Sequence, residues 1–503
     1  MNTLRDSVLH WARLQPHAPF LIAPESRHSI SYGEFELQTR QLAGFLAGLG
    51  IPKGTHIGLY LQNGLQTSRL FLSVMAAGYV VTPFNLLAHE DQLIWVLNHS
   101  ECALLFHGAG QRDMLAKVRP KLDREPRCIE IDSDAVRLGL AEHPQPEIDL
   151  GLVSPSDSAL LMYTSGTTGT PKGVRLTHDN VLQAARTVSA WHQLTPRDRV
   201  LSSLPIYHIN GQCIATITPF FSGGSIVAAQ KFSASLWWDW VLQQECSWIN
   251  LVPTIIAYLL NSSESSPVQP QDLKGVRFAR SASAPLPPEH HRAFEKRFGI
   301  TVIEAMGMTE SASVVFCNPH DQRRRYGSPG LPCGVTAKIV DAEGQELGDG
   351  ITGEICFSGA NVMSGYYKAE EETRKAFDAK GWLKTGDLGY RDAEGFYFVT
   401  GRLKELIIKG GENIAPREID EILLQHPAVL DAACVGIPDK NYGQEIMACM
   451  ILREGSACSE EEMRNFCLER LGRFKSPKVL RFVDHLPRGP SGKVQRLKLL
   501  DWG

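Results

Sequence analysis

No C-x-x-C pair occurs among the eleven cysteines and no H-E-x-x-H among the sixteen histidines, so neither a zinc motif nor a thioredoxin-like redox motif can be assembled locally. The nearest cysteine series, Cys449, Cys458 and Cys467, spreads over an expected strand, loop and helix. Reduced packing residues are the expectation. Runs of five or more like charges are also missing, and the formal net charge is −4; a nucleic-acid groove or a polybasic membrane patch has nothing to build on. Arg323-Arg324-Arg325 is the local exception. No stretch of eighteen apolar residues is present, and the amino terminus reaches Arg5 and Asp6 without an apolar signal core. We therefore expect a cytoplasmic protein with no stable membrane insertion. Internal repeats and low-complexity segments are absent too, so the 503 residues, more than one core usually organises, are expected to form two or more ordinary globular domains.

What the chain does have is Tyr163-Thr164-Ser165-Gly166-Thr167-Thr168-Gly169-Thr170-Pro171-Lys172-Gly173-Val174. Glycines let backbone amides approach an anion, the hydroxyls add donors, and Lys172 adds a point charge. The apolar run from Ala159 to Met162 before it reads as a buried strand, which places the loop at a sheet edge. Its spacing is not the Walker spacing G-x-x-x-x-G-K-[ST]. A phosphate-binding loop of another nucleotide fold is implied.

Helix and strand patterns alternate in the first third. Ser31-Tyr32-Gly33-Glu34 reads as a capping box, followed by Phe35, Leu42, Phe45, Leu46 and Leu49 at helical spacing up to Gly50. His56 to Leu61 reads as a strand, Leu65 to Ala77 as a helix closed by Gly78, and Tyr79-Val80-Val81 as a strand ended by Pro83. This alternation predicts an α/β fold with helices on the faces of its sheets. A compositional break runs from Gly395 to Glu405, and the boundary is placed there: residues 1–403 as a large multi-layer domain, residues 404–503 as a small α+β domain. In the latter, Pro416 opens a helix, Ala432 to Val435 and Met447 to Ile451 read as strands, and Ser459-Glu460-Glu461-Glu462 starts a second helix. Asn261 to Gln271 reads as a surface loop.

The loop string resembles the phosphate-loop signature of the acyl-adenylate-forming superfamily, which includes acyl-CoA synthetases, beetle luciferase and peptide-synthetase adenylation domains. Leu204-Pro205-Ile206-Tyr207-His208, Gly307-Met308-Thr309-Glu310, Thr385-Gly386-Asp387, Gly401-Arg402-Leu403-Lys404-Glu405 and Pro490-Ser491-Gly492-Lys493 match further family segments in order. The resemblance implies a two-step acid–thiol ligase. A carboxylate attacks the α-phosphorus of ATP, pyrophosphate leaves, and coenzyme A then takes the acyl group from the acyl-AMP. Because charge builds on phosphate oxygens, positioned cations and amide donors are the main tools.

By resemblance, Thr164, Ser165, Gly166, Thr167, Thr168, Gly169 and Lys172 hold the β- and γ-phosphates. Glu310 holds Mg²⁺, whose preference is for oxygen ligands, and Thr309 meets the α-phosphate. Glu304, Ala305 and Met306 lie against adenine, with Met306 where the family usually has an aromatic ring. Asp387 accepts from both ribose hydroxyls, and Arg402 adds a further ribose or phosphate contact. Lys493 bridges the acid and the α-phosphate, and Lys404 is the hinge. Gly410 and Gly411, in Lys409-Gly410-Gly411-Glu412-Asn413, replace the Lys493 loop when the small domain turns and pass the pantetheine arm.

The acyl pocket is expected to be framed by Tyr207-His208, Thr254, Arg280-Ser281-Ala282-Ser283-Ala284 and residues Ser311 to Val314. His208, Arg280, Ser283, Ser311 and Ser313 make that lining polar, unlike a pocket for a long fatty chain. Arg280-Ser281 together with Glu304-Ala305-Met306 looks most like ligases for oxalate and similar small acids, although those carry a histidine where this chain has Ser313. A short acid with a second anionic or polar group is the expected substrate. Alternatives are a free-standing enzyme that loads a carrier-protein thiol, a medium-chain or aryl acyl-CoA synthetase, and a nucleotide-binding scaffold without catalysis. A homodimer is left open.

Overall fold

The computed structural model describes residues 1–135, 150–164, 171–261, 268–489 and 494–502. Among them four sheets organise an α/β protein with a large N-terminal and a smaller C-terminal domain.

Two sheets form the body of the large domain. The six-stranded one runs in space through Arg127–Glu130, Leu104–His107, His56–Tyr60, Val80–Pro83, Ser158–Thr164 and Lys172–Thr177. Neighbours are parallel except for the last pair, an antiparallel hairpin. The nine-stranded sheet has a parallel centre, Val302–Met306, Phe278–Ser281, Trp248–Leu251, Arg199–Ser202, Ser225–Ala228 and Pro19–Ile22, with short antiparallel strands at both edges.

Strand side chains alternate between faces, and both faces of each sheet are covered. Ile57, Leu160, Val200 and Phe278 enter one core shared by the two sheets and by the helices Tyr32–Gly48, Leu65–Ala76 and His178–Trp191. Leu201, Val227 and Ala279 face the opposite way, onto the helices Trp237–Gln243, Pro253–Asn261 and Pro288–Phe298. Leu105 and Tyr60 do the same for the six-stranded sheet. Burial on both faces is what parallel strands joined by crossover helices require.

Local signals act as the sequence suggests. Ser31 Oγ accepts from Glu34 N at 3.3 Å while Glu34 Oε2 accepts from Ser31 N at 2.8 Å, and Gly50 and Gly78 follow their helices in the left-handed region at φ +69° and +80°. The strands Ala432 to Val435 and Met447 to Ile451 turn out to be the middles of longer ones. Val429–Asp439 and Gly443–Leu452 pair antiparallel, with Gly443 at φ +76° completing the turn. The helices Pro416–Leu423 and Glu460–Lys475 cover one face of this C-terminal sheet, the latter kinked at Gly472. The turn Arg496–Trp502 covers the other face. A four-stranded antiparallel sheet, Thr336–Val340 to Tyr397–Arg402, leads into this domain. All eleven cysteines are free, nine of them buried. No helix among the described residues is long and apolar enough to cross a membrane.

Candidate active site

Four neighbouring parallel strands of the nine-stranded sheet end on one side in the segments Tyr207-His208, Pro253-Thr254, Ala282-Ser283-Ala284 and Glu304 to Gly307, and all of these line a cleft of about 2240 Å³. Ligands of α/β folds bind at such carboxyl ends, because the crevice opens where the strands stop. The hairpin of the six-stranded sheet, the four-stranded sheet and the C-terminal domain supply the other walls.

At one end, Thr164 and Lys172 face each other across the hairpin. Lys172 Nζ pairs with Glu372 and stands 5.0 Å from the centre of the Tyr366 ring; the pairing lowers the Glu372 pKa. Ser165, Gly166, Thr167, Thr168 and Gly169 lie outside the described residues. Beside the hairpin is the turn Thr309–Ser311. Glu310 Oε1 accepts from the Tyr366 hydroxyl at 2.8 Å, and the backbone then passes through Ala312 and Ser313 with φ +49° and +78°. Such left-handed geometry in non-glycine residues is costly and gathers at functional sites.

Farther along the cleft Asp387 and Arg402 are opposite one another on adjacent strands, with Arg402 Nε donating to Asp387 Oδ1 at 2.8 Å. The carboxylate raises the Arg402 pKa above its ordinary value. Glu304, Ala305 and Met306 end their strand on the cleft. Glu304 is buried and Oε1 accepts from Leu286 N at 3.0 Å, while Oε2 has no hydrogen-bond partner among the described residues. Burial pushes its pKa up to about 7. His208, Thr254, Ser283 and Ser313, expected to frame the acyl pocket, line the wall. His208 Nδ1 accepts from Asn210 N at 3.3 Å, and Ser283 is held at φ +76°.

Five residues expected to frame the acyl pocket, Arg280, Ser281, Ser311, Ala312 and Val314, do not reach it. Arg280 and Ser281 are fully buried inside their strand, because the cleft opens only beyond its last residue, and Ser311 is fully buried with its hydroxyl turned onto the backbone of Met308. Gly410 and Gly411 also lie off the cleft, at the turn of the hairpin Ile407–Lys409 and Glu412–Ile414 with φ +58° and +85°. Lys404 is exposed and lines the cleft in the turn Leu403–Glu405. Lys493 lies outside the described residues; Gly489 and Val494, the nearest described residues on either side, both line the cleft. Tyr366, Glu372 and Asn210 escaped the sequence reading, since each sits in an ordinary local context and its contact is distant in the chain.

A family profile described as AMP-binding enzyme matches residues 8–367, and one described as AMP-binding enzyme C-terminal domain matches residues 418–493. The chain belongs to the AMP-binding enzyme family. Among AMP-binding relatives, a sulfoacetate–CoA ligase of Cupriavidus necator is 50% identical over 99% of this chain and 98% of its own length. An oxalate–CoA ligase of Arabidopsis thaliana is 33% identical over 92% and 91%. ATP-bound MatB of Rhodopseudomonas palustris, 29% identical, superimposes with a TM-score of 0.91 over 100% of this chain and 99% of that one, whereas apo MatB gives 0.79. The structure as a whole is accordingly nearer to that of the ATP-bound protein.

Within this cleft, the donor set next to the hairpin is one carboxylate, Glu310, with Thr309 as neighbour. It fits Mg²⁺, which keeps most of its water and phosphate ligands and needs one or two protein oxygens. A softer metal would want nitrogen or sulfur ligands there.

Proposed function

We propose that the protein is an AMP-forming acid–CoA ligase for a short acid with a second anionic group, with sulfoacetate as the leading substrate. The observation that carries this reading is the meeting, in one cleft, of a hairpin that can take phosphates, the Glu310 turn, the Asp387–Arg402 pair and a polar acyl end. The half-identical sulfoacetate–CoA ligase supports the choice of acid.

In this reading the phosphates of ATP lie against Thr164, Lys172 and the loop between them, and Lys172 exchanges Glu372 for a phosphate oxygen. Glu310 would hold Mg²⁺, which when bound offsets the phosphate charge, and Thr309 would meet the α-phosphate. Adenine rests on Ala305 and Met306 beside Glu304, and Asp387 accepts from the ribose hydroxyls with Arg402 alongside. The acid enters between His208, Thr254, Ser283 and Ser313, and its carboxylate displaces pyrophosphate with Lys493 between the two charged groups. The sulfur of coenzyme A then attacks the acyl carbonyl and AMP departs. We place the domain boundary between residues 403 and 404, with Lys404 as the hinge. Turning the small domain brings Gly410 and Gly411 to the cleft, where two residues without side chains leave room for a thin pantetheine arm.

Pyrophosphate release should be followed with sulfoacetate, oxalate, malonate, propionate and octanoate, with and without coenzyme A. The expected result is fastest release with an acid bearing two anions, and a thioester only when coenzyme A is present. Absence of pyrophosphate with every acid, or a preference for octanoate, would overturn the proposal.

A further inference from the structure

The Arg280 guanidinium is fully buried, yet among the described residues its Nε and Nη2 have no hydrogen-bond partner and no carboxylate pairs with it. Burial lowers its pKa below the usual arginine value, but a guanidinium stays protonated in a protein and can only donate. A buried charge without a counter-ion is costly. Its described hydrogen bond runs from Nη1 to Asn210 Oδ1, at 3.4 Å. The same oxygen accepts from Asn250 Nδ2 at 3.2 Å.

These two donors fix the orientation of the Asn210 amide. Because the atom facing Arg280 must be an acceptor, the NH₂ group faces the other way, and there it donates to Ser283 Oγ at 3.2 Å. The Ser283 hydroxyl is thereby an acceptor on its protein side, and its single proton is left to point elsewhere. Ser283 lines the cleft, and its strained φ of +76° holds it there. Asn210 itself opens a buried π-helical run, Asn210–Ile217, a rare geometry often found at functional sites.

We infer that Arg280 is a positioning residue for acid selection: acting through Asn210 it fixes the Ser283 hydroxyl as a donor into the cleft, and the group it serves is the second anion of the substrate. The inference rests on the acid–CoA ligase reading above and adds the element that distinguishes a dianionic from a monoanionic acid. One oxygen of a sulfonate or of a carboxylate accepts the single Ser283 proton, and the substrate supplies the negative charge that the protein withholds from Arg280. The low dielectric around a buried cation lets that charge act two hydrogen bonds behind the wall.

The test compares sulfoacetate with 3,3-dimethylbutyrate, in which an apolar tert-butyl group replaces the sulfonate at nearly the same shape, using the full-length chain. In wild type, kcat/KM for pyrophosphate release should favour sulfoacetate. Arg280→Met should lower that preference about tenfold or more, the loss of one charge-assisted hydrogen-bonding arrangement, mainly through the KM for sulfoacetate. Its melting temperature should stay level or rise, because an apolar side chain replaces an unpaired buried charge. Arg280→Lys should keep part of the preference. Asn210→Asp should also lower it, since a carboxylate there neutralises Arg280 and accepts from Ser283. A preference within about twofold of wild type in both Arg280→Met and Asn210→Asp overturns the inference, as does an equal loss for the two acids with a lower melting temperature, which marks a purely structural arginine. If wild type releases no pyrophosphate with either acid, the ligase reading fails. The relay is then decided by melting shifts with sulfoacetate: a shift in wild type that Arg280→Met lacks supports it, and equal shifts overturn it.

Discussion

Glu304 ties the chemistry of one side chain to the stability of the whole chain. Its carboxyl ionises near 4.5 when unfolded and near 7 in the fold, because burial disfavours the anion. Between those values the native state holds a proton that the unfolded state has lost, so stability falls as pH rises from about 4.5 to about 7 and levels off above. Urea midpoints across that window should decline in wild type and decline less in Glu304→Gln, which keeps the shape without the charge. Identical slopes would contradict this account. Lys493→Ala should slow pyrophosphate release roughly a hundredfold, comparable to loss of one transition-state donor, while thioester formation from supplied acyl-AMP changes much less. Equal loss in the two half-reactions would refute the role proposed for Lys493. At this scale the residues within dense motifs, Thr164, Lys172, Glu310 and Asp387, were legible because their neighbours in sequence identify them. Arg280 was expected on the pocket wall and is buried in its strand instead: alternation along a strand gives the face a side chain takes but not where the cleft begins. Tyr366 could not be read at all, since its bond to Glu310 spans fifty-six residues.

The turn that carries Thr309 and Glu310 exists because Gly307 has no side chain. A Cβ at that position would lie 2.0 Å from Ser313 O and 2.2 Å from Ser313 C, and backbone atoms cannot give way as a flexible side chain does. Gly307→Ala should therefore displace the segment from residue 308 to 313, cost about 2 kcal/mol or more in denaturant unfolding, and abolish pyrophosphate release. A variant with wild-type stability and rate would show that the segment tolerates rearrangement. Capped helices were readable at the level of elements, because the Ser31–Glu34 box and the glycines after each helix act through neighbours in sequence. The hairpin turning at residues 440 to 442, the kink at Gly472 and the π-helical run from Asn210 had no comparable signal. Their geometry is set by packing partners far along the chain.

At the scale of the molecule, the two domains meet partly through Arg417, on the first helix of the small one. Its Nη1 donates to Val399 O and its Nη2 to Gly327 O, both carbonyls of the large domain. Arg417→Ala should loosen this arrangement with little change in the large-domain core. Trypsin cleavage after Lys404, in the exposed connecting turn, should accelerate several-fold, whereas an unchanged cleavage rate would assign the closure to other contacts. The overall class followed from alternating helix and strand patterns, since covering both sheet faces with helices is the common solution for such a chain. The order of the strands in space did not, because pairing of distant segments leaves no local trace. Strand Pro19–Ile22 illustrates this, lying parallel to Ser225–Ala228 roughly two hundred residues farther on. On a ribosome adding roughly 5–20 residues per second, the first partner waits about ten to forty seconds for the second to be synthesised. Phe20, Leu21 and Ile22, all buried in the finished fold, spend that interval uncovered on one edge, so a holdase chaperone is expected on nascent chains until residue 228 has left the exit tunnel.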